Sequence, residues 1–117
     1  MMKLKNGVRL ILIPNPEAAS VGISVLVGTG SRFENSNNNG ISHFLEHLVF
    51  KGTKNFRSQI LISENIEGIG GVLNGYTSSQ VTNYWAKVLP QHFKVAAEVL
   101  TDLVIFPLLR SSDLKSE

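Results

Sequence analysis

Cysteine is absent from this 117-residue chain, so no disulfide can staple it and no thiolate can hold a metal. Any zinc ion bound here would have to be gripped by imidazole and carboxylate. No apolar run approaches the ~20 residues of a membrane-spanning helix, and no membrane partner is expected. The opening residues, Met1 to Gly7, pass straight into strand-like sequence without the apolar core of a secretory signal. The expectation is a cytoplasmic location, or a native leader already removed. Charge is also sparse: 17% of residues are charged and the net charge is +2. The Lys and Arg residues are scattered rather than clustered, so nucleic acid is not an expected partner. What is present is a globular balance, 43% apolar, at a length that suits one ordinary domain with a real core.

Along the chain, Asn6-Gly7 between Lys3–Lys5 and Val8–Ile13 predicts a hairpin with a type I′ turn, ended by Pro14 and Pro16. Val21 to Val27 reads as a further strand, and Ser31 to Asn39 as a polar loop. A helix is predicted from about Gly40 to Phe50, with Gly52 as its left-handed stop. A second spans about Ser58 to Ile69 and is closed by Gly68, Gly70 and Gly71. Val72–Thr77 and Val81–Leu89 form a strand pair, and a third helix runs from about Gln91 to Phe106, stopped by Pro107. Ser111 to Glu117 resembles the first turn of another helix. The order β-β-β-α-α-β-β-α predicts an α+β fold, a largely antiparallel sheet with helices packed on one face. The first helix is expected to press Ile41, Phe44, Leu45 and Leu48 against that sheet and to leave His43, Glu46 and His47 on the rim.

Those three residues carry the chemistry. His43-Phe44-Leu45-Glu46-His47 places two imidazoles four residues apart, one above the other on one helical face, where both can grip the same ion. Neutral imidazole suits zinc, which brings the pKa of a bound water to about 7. Glu46 lies close enough to serve as a general base without being a ligand. The plain alternative, surface or satisfied core histidines with Glu46 as an intrahelical partner, suits a lone histidine better than this spaced trio. His92, in the first turn of a helix, reads as an ordinary surface residue.

The stretch His43 to Lys54, His-Phe-Leu-Glu-His-Leu-Val-Phe-Lys-Gly-Thr-Lys, strongly resembles the pitrilysin-type (inverzincin, M16) zinc metallopeptidases. That family includes insulysin and the β-subunit of the mitochondrial processing peptidase. Val27 to Glu34 looks like its glycine-rich stretch ahead of the motif, and Ile66 to Ser78 like its later signature. The likeness covers essentially the whole chain. It implies that His43 and His47 are zinc ligands and Glu46 the catalytic base. The family's third ligand is a glutamate about 76 residues beyond the second histidine, which falls past Glu117. Glu117 matches a different family glutamate, for which the resemblance implies a supporting role. Asn74 matches a family asparagine near the substrate groove, although an exposed polar strand residue is an equally good account of it. Where the family usually has Arg-Glu, this chain has Ser79-Gln80, so no charged contact is carried over there. Tyr84 and Trp85 read as core and sheet-face residues rather than substrate contacts.

The expectation is therefore the N-terminal part of one peptidase domain, apparently truncated. It would belong to a zinc-dependent endopeptidase that hydrolyses extended peptides with a metal-activated water. Its expected partners are a peptide substrate and a homologous domain or subunit, and the 117 residues alone are expected to be inactive or nearly so. Two rivals remain: a non-catalytic partner or structural subunit that keeps the fold for assembly, and a simple two-histidine metal-binding module.

Overall fold

Residue alternation accounts for the sheet. The structure, a computed structural model, describes residues 1–117. In β3 (Val21–Val27), Val21, Ile23, Val25 and Val27 turn inward while Gly22, Ser24 and Leu26 face out, the two-residue period of a half-buried strand. β4 (Val72–Thr77) repeats the pattern, with Leu73, Gly75 and Thr77 inward. β5 (Thr82–Val88) lies between them in the order β3-β5-β4, antiparallel to both, and is mostly buried as a central strand should be. The register sets Ile23, Ala86 and Leu73 in one cross-strand row and Val25, Tyr84 and Gly75 in the next.

Helices α1 (Ile41–Val49), α2 (Gln59–Ile66) and α3 (Phe93–Ile105) pack on one face of this sheet, which is the α+β layering expected from the order of elements. α3 buries Ala96, Val99, Leu100 and Leu103, a helical stripe that meets Tyr84, Ala86 and Val88 from β5 and Ile62 and Ile66 from α2. Short 3-10 turns at 67–69 and 90–92 take the ends assigned from sequence to the second and third helices. α4 (Ser111–Ser116) closes the described residues. No helix is long and apolar enough to cross a membrane.

Two expectations are corrected. The N-terminal hairpin exists, with β1 (Met2–Lys3) paired to β2 (Arg9–Leu10), but its turn is not type I′. A type I′ turn needs positive φ at both Asn6 and Gly7, and only Gly7 has it, at 91°. Leu4 O instead accepts from Gly7 N at 2.9 Å and Leu4 N donates to Val8 O at 2.8 Å, a three-residue loop with a glycine bulge. The second correction concerns the face of α1. It buries Ser42, Glu46, Leu48 and Val49, while Ile41 and Leu45 stay 51% and 40% exposed. The helix is rotated so that a carboxylate, rather than two leucine-like side chains, faces the sheet. Gly75 helps the helix settle there, since a Cβ at that position would come within 3.2 Å of the Phe50 ring.

Candidate metal centre

The motif helix is held at both ends by charge. Gly40, at its N-cap in the left-handed region (φ 87°), offers no capping side chain. Glu34 supplies the cap from a distance, accepting from Gly40 N at 2.6 Å through Oε2 and from Ser42 N at 2.8 Å through Oε1. Two amides that the helix leaves unpaired are thereby satisfied, and negative charge meets the positive end of the helix dipole. The Ser42 and then the Gly40 backbone hydrogen bonds hold the Glu34 carboxyl below its ordinary pKa. A carboxyl lowered by folding stabilises above the ordinary glutamate range near 4.3 and loses that contribution as pH falls through its folded value. We expect Glu34→Gln to lower the melting temperature at neutral pH, with the difference closing in acid. A difference that does not change with pH would refute the cap's ionic character.

On the first turns of this helix, His43 Nε2 and His47 Nε2 converge to 2.9 Å, with their rings edge to face at 75°. His47 Nδ1 lies 2.9 Å from Glu117 Oε1. A carboxylate only accepts, so Nδ1 of His47 carries a proton in this contact, and in the neutral ring Nε2 then keeps the lone pair. Lys51 Nζ, one turn further along the helix, meets Glu117 Oε2 at 2.8 Å. The Lys51 and then the His47 contacts hold the Glu117 carboxyl below its ordinary range. Glu46, between the two histidines but 9% exposed, points toward the sheet and accepts from Thr77 Oγ1 at 2.7 Å. Burial, and then the charge of Glu46, push the Tyr84 hydroxyl up to about 12, so the phenol stays neutral beneath that carboxylate.

A cleft of about 280 Å³ opens beside these groups and is lined in part by Glu46, His47, Lys51, Asn74 and Glu117. The sequence-predicted residues are thus gathered at one place, with His43 joined through its contact to His47. Asn74 lies on β4, one of the two edge strands of the sheet, and its Oδ1 accepts from Gly75 N at 2.8 Å, which leaves its amide NH2 uncommitted. Sequence reasoning passed over Glu34, Thr77, Lys51 and Arg110. Only Lys51 carried a usable local signal, four residues beyond His47 on one helix face.

Whether zinc suits these residues can be tested on the donors. Tetrahedral zinc with Zn–N bonds near 2.05 Å holds two nitrogens about 3.4 Å apart, so the rings need only open slightly. A ligand histidine whose other nitrogen donates to a carboxylate is the usual arrangement around zinc, and His47 with Glu117 has it. The two nitrogens fit. They are two donors only, for no group of three or more His, Cys, Asp or Glu side chains here is arranged to hold a metal.

The family described as Insulinase (Peptidase family M16) matches residues 9–117. An uncharacterised zinc protease of Bacillus subtilis is 47% identical over 113 residues, which is 97% of this chain and 27% of that protein. The mitochondrial-processing peptidase subunit beta of Saccharomyces cerevisiae is 47% identical over 117 residues, 98% of this chain and 25% of that one. The crystal structure of a protease from Helicobacter pylori superposes with a TM-score of 0.92 at 29% identity, covering 98% of this chain and 28% of that one. The chain spans about a quarter of the length of these relatives.

Proposed function

The chain belongs to the insulinase family of peptidases, M16, and from that premise we propose that it forms the metal-binding part of a zinc-dependent endopeptidase. The observation that carries the reading is the convergence of His43 and His47 Nε2 to 2.9 Å at the mouth of a cleft that Glu46 also lines. When bound, zinc supplies Lewis acidity that acidifies a water and polarises a carbonyl. His43 and His47 would hold it. Glu117 keeps the His47 proton on Nδ1, so that Nε2 remains a donor to the metal.

Glu46 is the general base. Thr77 occupies its Oε2, which leaves Oε1 to take a proton from the attacking water and return it to the departing amine. The hydrogen bond from Thr77 also fixes the carboxylate rotamer, so the base need not be ordered at the moment of reaction. The free edge of β4 can add an extended peptide as a further strand, with backbone hydrogen bonds giving affinity and the Asn74 amide one side-chain contact. A homologous domain or subunit would enclose that peptide.

The test is metal removal from the full-length protein. Peptidase activity on an unstructured peptide should vanish with a zinc chelator and return when zinc is restored, with stoichiometric uptake. Cleavage that persists after chelation would sink the reading.

A further inference from the structure

The strongest unexplained cluster lies behind the histidines, where the chain passes from α3 to α4. Residues 106–108 run beside the exit of α1: Lys54 N donates to Phe106 O at 3.0 Å and Leu108 N to Gly52 O at 3.0 Å, with Thr53 and Pro107 bridged antiparallel. Leu109 then takes φ 46°, the only non-glycine residue with positive φ in the structure. That conformation costs energy for leucine. Its result is to aim Arg110 back toward α1. The guanidinium spends three nitrogens there: Nη2 donates to Lys51 O at 2.9 Å, Nη1 to Arg57 O at 3.0 Å, and Nε to Asp113 Oδ2 at 2.8 Å. Gly52 keeps the space open, since a Cβ on it would lie 2.7 Å from Arg57 O and 3.2 Å from Arg110 Nη2.

We propose that Arg110 is a positioning residue for the metal centre, fixing α4 so that Glu117 reaches Nδ1 of His47. The inference rests on the metal-centre reading above. α4 buries none of its residues, so apolar packing does not set its place. Polar contacts do. Asp113 and Glu117 stand four apart on one face of the helix; Asp113 is held by Arg110, the helix's own N-cap residue, and Glu117 by Lys51 just past α1. Arg110 grips Asp113 while its other nitrogens hold the Lys51 and Arg57 carbonyls, and the Lys51 ammonium grips Glu117. One anchor would let the helix swing about it, whereas two define its rotation and register. Lys51 O also lies just past the end of α1, where an orphan carbonyl welcomes a cation. The guanidinium's fork suits this threefold task in a way that a lysine ammonium does not.

The experiment compares wild type, Arg110→Ala, Glu117→Gln and the double variant in the full-length protein. Zinc affinity is read by chelator competition, and the His47 tautomer by nitrogen-15 NMR of the zinc-free form. Arg110→Ala should weaken zinc binding about tenfold, the scale of outer-sphere losses at zinc sites. In the Glu117→Gln background the same change should add less than about twofold, because both act through one contact. In the zinc-free protein, Arg110→Ala should release the His47 proton from Nδ1 toward the Nε2 tautomer. Unchanged affinity and tautomer, or losses that add in full, would overturn the proposal even with a lowered melting temperature. If Arg110→Ala does not fold, Arg110→Lys keeps the charge but loses the fork that spans the two carbonyls and Asp113, and is judged by the same readings. A wild type that takes up no zinc defeats the peptidase reading, while the tautomer shift still decides the role of Arg110.

Discussion

Replacing Glu46 by glutamine lowers kcat by about a thousandfold in the full-length protein while zinc stays bound. Glutamine keeps the shape of the side chain and can still accept the Thr77 hydroxyl, so the helix and the cleft are undisturbed. What it loses is the capacity to take a proton, and a positioned general base contributes about 10²–10⁴ in rate. Glu46 is neither of the two imidazole donors and its hydrogen bond is to Thr77, which is why metal affinity should hardly change. The variant also separates rival readings of the fold. A structural subunit or a bare two-histidine module would be indifferent to the change, so turnover that survives it would argue for one of them.

Asp102→Ala should cost about 3 kcal/mol of stability, the second large effect. Asp102 is 5% exposed on α3, and its carboxylate accepts from Thr53 Oγ1 at 2.9 Å, Asn55 N at 2.9 Å and Asn55 Nδ2 at 3.0 Å. Alanine removes all three at once. It leaves the Thr53 hydroxyl, on a fully buried residue, to donate only across a stretched 3.5 Å to Phe56 O, while it still accepts from Phe56 N at 3.1 Å. Losing the side chain's few carbons is a small term beside those orphaned donors. The loop involved follows the motif helix directly, so partial loss of zinc affinity should accompany the loss of stability. A denaturant midpoint within experimental error of wild type would show that solvent replaces these bonds without cost.

Local rules made much of this readable. The four-residue spacing of His43 and His47 was enough to predict one shared helical face, and the rings converge on it. Period-two alternation found β4 and β5 to within a residue of their ends, because each turns one face to helices and the other outward. Failures came where a partner outside the motif itself, most often a distant one, decided the outcome. Ile41 and Leu45 looked like the buried face of α1, but Thr77, 31 residues away in sequence, offers a hydrogen bond that makes Glu46 the inward residue. Asn6-Gly7 announced a hairpin correctly and its turn type wrongly, since the Leu4–Val8 pairing admits one left-handed residue rather than two. Arg110 had no local signature at all. Two of its three acceptors are backbone oxygens 53 and 59 residues away, and nothing in a carbonyl's own residue type announces that it will be an acceptor.

The ten-residue buried cluster includes neither His43 nor His47, and both rings stand at the surface. Cohesion of the polypeptide therefore does not depend on the two residues proposed to capture the ion. Small zinc-nucleated domains collapse when stripped of metal. Here the apolar core lies apart from the two imidazoles, so on the proposed reading zinc should be removable and restorable without melting the protein, with an occupancy that follows the free-ion level of the surroundings.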